Sequence, residues 1–425
     1  MVAMQLSDAE HGQVQARMMW FFAFVYIAEG VAQTSGIIDQ PLKRFLLEGL
    51  GWSTFAMSAY LWVLSIQWWA KPFYGLVSDC VPIAGYRRKS YLVLANLAAA
   101  VALFTLSKTL STNKLIVELS IDVMMMATSS VLCGALIIEW AKHSTVAAKF
   151  CGQQSLWANG ATIVAIFAGA WLCDTFNPTD ALHWAAMIAA VAPLVVMLVT
   201  WPLVREEKTH IDMERLKEGA RGIGRAVMTR SIWGVAGLLF LWSFNPGFGP
   251  VMYSYMRGVM HFAPREIGYV SACFAAGAAV GSLVYMKVLA HRFSVKQLTV
   301  PIIIIGGSAQ LAFVLMGGLL SVMVLNVFNG IFTAMASVNA HTIAANKCPD
   351  HAEGFMYSTL LSAANVSFFT SGMVGGLLYD TLLFNPVTQV HHINPLIIMS
   401  AVITFACLAL VRSLDLERPA QTAAQ

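Results

Sequence analysis

The sequence predicts an all-α polytopic membrane protein with twelve transmembrane helices in two halves of six. Of its 425 residues, 58% are hydrophobic and only 11% are charged, whereas soluble domains carry about 25% charged residues. Twelve apolar stretches have about the 20 residues with which a helix crosses a bilayer. One long polar segment, residues 205–230, separates the sixth stretch from the seventh. This composition excludes a soluble globular domain.

The predicted spans follow one another through short connections, apart from the segment 205–230. They comprise residues 17–40, 53–78, 90–108, 114–141, 153–174, 182–204, 231–256, 267–290, 298–317, 320–345, 355–378 and 393–413. The first apolar run is too long for a cleaved signal peptide and is interpreted as an anchor. We therefore predict an N-terminal six-helix half over 1–204, a cytoplasmic linker over 205–230 and a C-terminal six-helix half over 231–425.

Lysine and arginine are distributed unevenly between the two sides that this arrangement defines. Most of the 26 lie in connections on the side of the N-terminus, and short loops rich in these residues stay in the cytoplasm. Both termini are therefore predicted to be cytoplasmic, with a bacterial inner membrane as the expected location. Six plus six spans around a cytoplasmic linker resemble the major facilitator fold, whose halves are expected to give alternating access to a midplane cavity.

Neither a cofactor nor a metal is expected. The seven cysteines are dispersed and form no CxxC pair, which argues against a zinc site or a disulfide framework. The cations form no continuous stripe of the kind that binds nucleic acid. No P-loop, catalytic-triad spacing or soluble catalytic domain is recognisable, so an enzyme is not expected. The expected partners are a small organic solute, a coupling proton and the lipid bilayer, and the protein is expected to be a monomer.

The connection after the second span concentrates charge and reads "KPFYGLVSDCVPIAGYRRKSYL" over residues 71–92. Gly75 lacks a Cβ and permits close approach of two helices. Asp79, at a helix end, is placed to accept N–H bonds at the start of the eleventh span. Arg87, Arg88 and Lys89 can pair with that acid or with lipid phosphates. We interpret these residues as a cytoplasmic gate; the alternative is that the cations only set the topology.

Three segments resemble the folate–biopterin transporter family. The segment quoted above shares with that family a Lys-Pro, a Tyr-Gly, a Ser-Asp and a VP-x-x-GYRR-x-SYL run in the same order. The stretches "CPDHAEGFMYSTLLSAANV", from Cys348, and "FLWSFNPGFGPVMYSYM", from Phe240, are also similar to it. The chain departs from the family pattern at Gly134, where an acid is usual, and at Glu29, where a glutamine is usual. The resemblance implies a secondary transporter with a folate-like or pterin-like substrate.

Acidic residues within spans are energetically costly and are therefore candidates for function. Glu29 lies about 18 Å into the first span at 1.5 Å per residue, near the midplane, and is the first candidate for proton coupling. Glu118 and Asp122, four residues apart in the outer half of the fourth span, are two further candidates. The alternative for these acids is a structural hydrogen bond or, for Glu118, a place at the membrane interface.

Amides and aromatic residues near the expected cavity are candidates for substrate binding. The proline and glycine run over residues 245–250 predicts a break in the seventh span, and broken helices are tolerated where they line a cavity. Aromatic rings can stack on a flat heterocycle, and amides can bond its polar edge; simple packing is the alternative. The candidates are Gln33, Trp157, Asn159, Trp242, Asn245, Tyr253, Asn365 and Phe368.

The leading hypothesis is a secondary active transporter that imports a folate-like or pterin-like solute by alternating access, coupled to protons. A second hypothesis keeps the fold and changes the cargo to a siderophore or another vitamin. A third is a non-transporting membrane protein that assembles or delivers other membrane components. The embedded acid Glu29 and the predicted gate favour transport.

Overall fold

A computed structural model describes residues 8–108, 111–141, 147–206, 208, 230–346, 353–385 and 390–413. Most of the predicted linker and the side chain of Asp79 lie outside the described part of the chain. Within that part the backbone is almost entirely helical, apart from connections and one short pairing of Phe384–Asn385 with Val390–His391. The predicted all-α class is therefore confirmed.

The α-helices of the described part are numbered here in chain order. They are α1 (Asp8–Ala32), α2 (Asp39–Arg44), α3 (Thr54–Trp69), α4 (Lys71–Cys80), α5 (Lys89–Leu106), α6 (Thr112–Ala141), α7 (Ala147–Thr175), α8 (Pro178–Leu203), α9 (Arg230–Ser243), α10 (Pro250–Gly258), α11 (Pro264–Val284), α12 (Val295–Leu311), α13 (Leu319–Asn346), α14 (Glu353–Thr381) and α15 (Asn394–Ser413). Short π-helical turns follow α2 (Phe45–Gly49) and α11 (Tyr285–Leu289), and a 3-10 turn follows α12 (Ala312–Leu315).

The first helix ends several residues before the predicted end of the first span. The amide of Gly36 donates to the carbonyl of Gln33 at 2.7 Å, and the amide of Ile37 donates to that of Val31 at 3.1 Å. A Cβ on Gly36 would overlap the carbonyl oxygen of Val31. Glycine therefore allows the chain to fold back at this turn before a helix resumes at Asp39.

Two predicted spans are each divided into two helices. Residues 53–78 fall within α3 and α4, and Pro72 lies in the first turn of α4, where its missing N–H breaks no helical hydrogen bond. Residues 231–256 form α9 and α10, with irregular backbone between them. The interruption in the seventh span is the break that its proline and glycine residues predict.

The chain divides into two compact units. The first comprises Met1–Leu42 and Phe73–Leu216. In this unit α1 packs on α7 and α8, while α5 packs on α6 and α8. An apolar core that includes Phe21, Phe22 and Tyr26 of α1 holds these helices together.

The second unit comprises Lys43–Pro72 and Lys217–Gln425. Here α3 lies along α14, α9 packs on α14 and α15, and α11 packs on α13. A Cβ on Gly277 of α11 or on Gly330 of α13 would overlap the facing backbone, so the α11–α13 pair is in close contact. The first part of the predicted second span, α3, thus packs with C-terminal helices, whereas its second part, from Phe73, belongs to the first unit. The division into two halves of six stays a prediction.

Eight described helical segments are long and apolar enough to cross a membrane, by length and composition. They are Lys89–Leu106, Thr112–Leu136, Pro178–Leu203, Pro264–Leu289, Val295–Leu315, Leu319–Ala344, Thr359–Thr381 and Asn394–Arg412. This finding supports a polytopic membrane protein. The count of twelve spans and the cytoplasmic termini stay predictions.

Candidate functional site

Glu29 lies on α1 within the first unit, where two neutral side chains hold one of its carboxyl oxygens. Its Oε1 accepts a hydrogen bond of 2.8 Å from Nε2 of Gln33 and one of 3.1 Å from Oγ of Ser130. Gln33 is one turn further along α1, and Ser130 comes from α6. The second oxygen, Oε2, is buried and has no hydrogen-bond donor in the described part of the chain. The carboxyl group is thus bonded by neutral donors at one oxygen only.

The position of α1 at this level depends on close contact with α7. A Cβ on Gly30 would lie 2.5 Å from the carbonyl oxygen of Ala158 and 2.8 Å from Cβ of Ala161. Gly30, next to Glu29, therefore lacks a side chain where the backbones of α1 and α7 come into close contact. Trp157 packs against the apolar core beside α1, whereas Asn159, two residues on, is exposed at mid-helix.

Asp122 and Glu118 lie on α6, nearer its start. Asp122 has no exposed surface, and neither of its carboxyl oxygens has a hydrogen-bond partner among the described residues. Glu118 is half-buried, and its Oε2 is buried and unbonded within the same part of the chain. Asp122 precedes Ser130, the partner of Glu29, by eight residues, or about 12 Å along the helix axis. Asp122 and the contact of Glu29 with Ser130 therefore lie at different heights along α6.

The predicted basic cluster forms the start of α5 and holds an acid that the sequence analysis did not single out. The backbone amides of Arg87 and Lys89 donate to the carboxylate of Glu206 at 2.9 Å and 2.8 Å, and the amide of Arg88 donates to both oxygens. Because free amides and the helix dipole attract anions, Glu206 caps α5. The feature of the sequence that could have indicated this role is the position of Glu206, two residues after the predicted end of the sixth span.

The side chains of the basic cluster are differently placed. Arg88 is buried, with 6% of its surface exposed, and the ammonium of Lys89 lies 4.4 Å from the ring centroid of Trp201. Gly75 lies on α4, where a Cβ would be 3.1 Å from Cγ1 of Val131 on α6. The predicted contacts of Asp79 lie outside the described residues.

In the second unit, the break between α9 and α10 is held by polar side chains. The Oδ1 of Asn245 accepts a 2.9 Å hydrogen bond from Gln310 on α12, whose own Oε1 accepts one of 3.0 Å from Thr404 on α15. The amide of Gly247 donates to Oγ of Ser400 at 3.0 Å. Gly249 has a φ of 66°, a conformation that favours glycine. Side chains from two other helices thus satisfy backbone and amide groups at the break.

The predicted aromatic contacts fall into two groups. Trp242 and Tyr253 are buried, with 8% and 5% of their surface exposed, and each packs in an apolar cluster. Phe368 on α14 is 48% exposed, and its ring is 3.9 Å from the position that a Cβ on Gly249 would take. Asn365 precedes Phe368 by three residues and so shares its side of α14. Phe368 is therefore the aromatic candidate that presents surface next to the break, and Asn365 lies on the same side of α14.

Long apolar helices, an interrupted seventh span and the buried carboxyl group of Asp122 are features of a polytopic membrane protein with the major facilitator fold. Solved structures share this architecture. The nucleoside transporter NupG, in a mutant form, superposes with a TM-score of 0.70 over 94% of this chain and 99% of its own, at 13% identity. A D-xylose–proton symporter gives a TM-score of 0.69 over 95% and 98% of the two chains, at 12% identity. At such identities the likeness establishes the fold alone.

The chain belongs to the BT1 family, whose profile matches residues 29–421. The folate-biopterin transporter of Synechocystis sp. is 24% identical over 379 residues, which cover 83% of this chain and 73% of that relative. The resemblance carried by the three sequence segments is therefore confirmed. The family and its relatives are transporters rather than enzymes.

Proposed function

We propose that the protein imports a folate-like or pterin-like solute together with protons, by secondary active transport with alternating access. The observation that carries the proposal is the environment of Glu29, an acid within apolar helices whose described partners are the neutral side chains of Gln33 and Ser130. Membership of the BT1 family supports the substrate class. A bacterial inner membrane and a monomeric state are part of the same proposal.

Proton coupling requires a carboxyl group that can gain and lose a proton without disrupting the fold. A cation bonded to a carboxylate would favour its ionised form, and Glu29 forms no ion pair within the described residues. Gln33 and Ser130 both donate to Oε1, and Oε2, which accepts no hydrogen bond in the described part of the chain, is the atom on which we place the proton. Asp122 is a second proton candidate because burying an unpaired charge is costly, whereas a neutral carboxylic acid is tolerated.

Substrate recognition is assigned to the surface beside the break in the seventh span. A pteridine is a flat heterocycle with several hydrogen-bonding groups on its edge. The exposed ring of Phe368 can stack on such a face, and the amide of Asn365 on the same side of α14 can bond its edge. The groups that hold the break, Asn245 and Gln310, keep this surface in one geometry.

Gating on the cytoplasmic side is assigned to Gly75, Asp79 and the basic cluster. The support from the structure is that Glu206 anchors the backbone of Arg87–Lys89 at the start of α5. The cluster is therefore presented from a rigid helix end instead of a mobile loop. A gate needs such a fixed side against which another element moves.

The test is uptake into proteoliposomes with labelled folate and a simple labelled pterin, with and without an inward proton gradient. Glu29→Gln removes the titratable group and keeps the shape. Glu266→Gln is the matched control, because Glu266 accepts a hydrogen bond from the backbone amide of Ala263 at the start of α11, and a glutamine oxygen can accept the same bond. We expect gradient-stimulated uptake in the wild type and in Glu266→Gln, and loss of the stimulation in Glu29→Gln.

Two results would count against the proposal in different ways. If the wild type takes up the solute at the same rate with and without the proton gradient, proton coupling is refuted and the substrate class is retained. No uptake of either compound by liposomes that contain folded protein would refute the folate–pterin assignment and leave the family and fold standing. A siderophore and other vitamins would then be the next compounds to assay.

A further inference from the structure

The end of α14 carries a second Gly-x-x-x-Asp motif, with the spacing of the predicted gate at Gly75 and Asp79. Its members are Gly376 and Asp380, near the end of the eleventh predicted span. The charge distribution predicts this end to face outside the cytoplasm, and we call it the outer end. The repeated spacing raises the question of what the second motif contacts.

Asp380 binds the first turn of α3. Its Oδ2 accepts a 2.6 Å hydrogen bond from the backbone amide of Phe55, a residue 325 positions away in the chain. Ser53 is the N-cap of the same helix and accepts the amide of Ala56. A carboxylate at a helix N-terminus is stabilised by the free amides and by the helix dipole. The acid therefore bonds the start of another helix, the role that the sequence predicts for Asp79.

Gly376 provides the close approach that this bond requires. A Cβ at Gly376 would lie 2.9 Å from Oγ of Ser58 and 3.0 Å from both Cα of Phe55 and the carbonyl oxygen of Thr54. Two of these three atoms belong to the backbone and cannot rotate away. Ser58 is only 2% exposed beneath this contact. The outer ends of α3 and α14 are thus closed against each other.

A second polar contact joins the segment that precedes α3 to α10. Nε of Arg257, on α10, donates to Oε1 of Glu48 at 2.8 Å, and a second guanidinium nitrogen bonds the same oxygen. Nη1 of Arg257 donates to the carbonyl of Phe262 at 2.6 Å, and Arg44 bonds the other oxygen of Glu48 at 2.8 Å. Each member of the ion pair thus has a further polar partner, Phe262 for Arg257 and Arg44 for Glu48.

Among the described residues, three hydrogen bonds join α3 and α14 at different heights of the pair. The bond from Asp380 to α3 is 2.6 Å long and involves a charge. Midway, Nε1 of Trp62 donates to Oγ1 of Thr370 at 3.0 Å. At the other end, Oγ of Ser362 lies 3.5 Å from the carbonyl of Trp69. Charge-assisted bonds are the stronger class, so the bond of Asp380 at the outer end is stronger than the neutral bonds of Trp62 and Ser362.

We propose that Gly376 and Asp380, together with the Glu48–Arg257 ion pair, form an outer latch that holds the transport path closed to the outside and releases when the path opens there. This inference rests on the alternating access of the proposed function. In it, the two Gly-x-x-x-Asp motifs of the chain act at opposite ends of the spans. Asp380 lies near the C-terminal end of α14 and bonds the N-terminal end of α3, which is the role that the sequence predicts for Asp79 at the cytoplasmic side.

The test measures how fast Ser58, changed to cysteine, reacts with a membrane-impermeant maleimide from outside proteoliposomes. The seven native cysteines are first replaced, and Ser58→Cys is nearly isosteric. Asp380→Asn retains an acceptor oxygen and loses the charge, while Asp380→Ala loses both. The matched control is Asp180→Asn, which removes an exposed acid whose hydrogen-bond partner, Asn177, lies three residues away.

We expect the labelling rate to rise about tenfold in Asp380→Ala, since loss of a charge-assisted bond shifts an opening equilibrium by about one order of magnitude. Asp380→Asn should fall between Asp380→Ala and the wild type, and Asp180→Asn should match the wild type. An Asp380→Ala protein that elutes as folded and labels at the wild-type rate would overturn the latch.

The outcome of the labelling test is separate from that of the proposed function, because labelling needs no substrate. Wild-type protein that takes up neither folate nor pterin can still show the predicted order of rates. A further variant, Arg257→Gln, tests the second contact; it should also accelerate labelling, and an unchanged rate would remove the ion pair from the latch.

Discussion

The backbone amide of Lys89 donates a 2.8 Å hydrogen bond to the carboxylate of Glu206, 117 positions further along the chain. The amides of Arg87 and Arg88 donate to the same carboxylate. A negative charge at the N-terminus of α5 is stabilised by the helix dipole. The segment that follows α8 is therefore hydrogen-bonded to the start of α5 within the first unit.

Replacing Glu206 should destabilise this unit. Glu206→Ala removes a charged acceptor from three amides and is expected to cost about 1–2 kcal/mol. The apparent Tm in detergent, followed by intrinsic fluorescence, should fall by about 2–4 °C. Glu206→Gln retains an oxygen acceptor and should give an intermediate value. An unchanged Tm for Glu206→Ala would contradict the capping role.

Gly30 and Gly160 offer a matched pair of substitutions within the first unit. Gly30→Ala places a methyl group 2.5 Å from the carbonyl oxygen of Ala158, so α1 and α7 must separate, at a cost of about 1–3 kcal/mol. Gly160 has no described atom within 4 Å of its Cβ position. Gly160→Ala should leave stability unchanged or raise it by up to about 1 kcal/mol. Equal Tm values for both variants would argue against close contact at Gly30.

Gln310 links the break in the seventh span to two other helices. Gln310→Ala leaves the bonding groups of Asn245 and Thr404 without this partner, which should cost about 1–3 kcal/mol and raise the KM for uptake more than it lowers kcat. Asn326→Ala is the control, because Nδ2 of Asn326 bonds the carbonyl of Val322 in its own helix. A variant Gln310→Ala with unchanged KM would show that the break does not depend on this link.

The Glu48–Arg257 ion pair should depend on pH. Burial raises the pKa of Glu48, but hydrogen bonds from Arg44 and Arg257 and their charges outweigh it and lower the pKa below its ordinary value of 4.5. A lowered pKa in the folded state means that the pair stabilises the protein above pH 4.5 and that this contribution is lost as the pH falls through the folded value. The difference in Tm between wild type and Glu48→Gln should therefore be largest at neutral pH and shrink in acid. A difference that grows as the pH falls would reverse the assigned direction.

Much of the candidate site was accessible from the sequence because its signals are local. An acid in an apolar span stands out at Glu29 and at Asp122, and a run of proline and glycine marks the break that Gly249 completes. Other parts needed the fold. Asp380 has the same spacing to its glycine as Asp79 but no basic cluster beside it in the sequence, and Glu206 is one of several charges after the sixth span. Sequence alone does not indicate the partners of either acid.

The sequence by itself determined that the chain is an all-helical membrane protein, where its seventh helix breaks and to which family it is similar. Hydropathy, glycine and proline geometry and short motifs act over a few residues, so they can be read without coordinates. Only the tertiary structure decided the partners of the polar groups. Ser130 for Glu29, Gln310 for Asn245 and the amide of Phe55 for Asp380 all come from distant parts of the chain, because buried polar groups find partners on whichever helix packs against them.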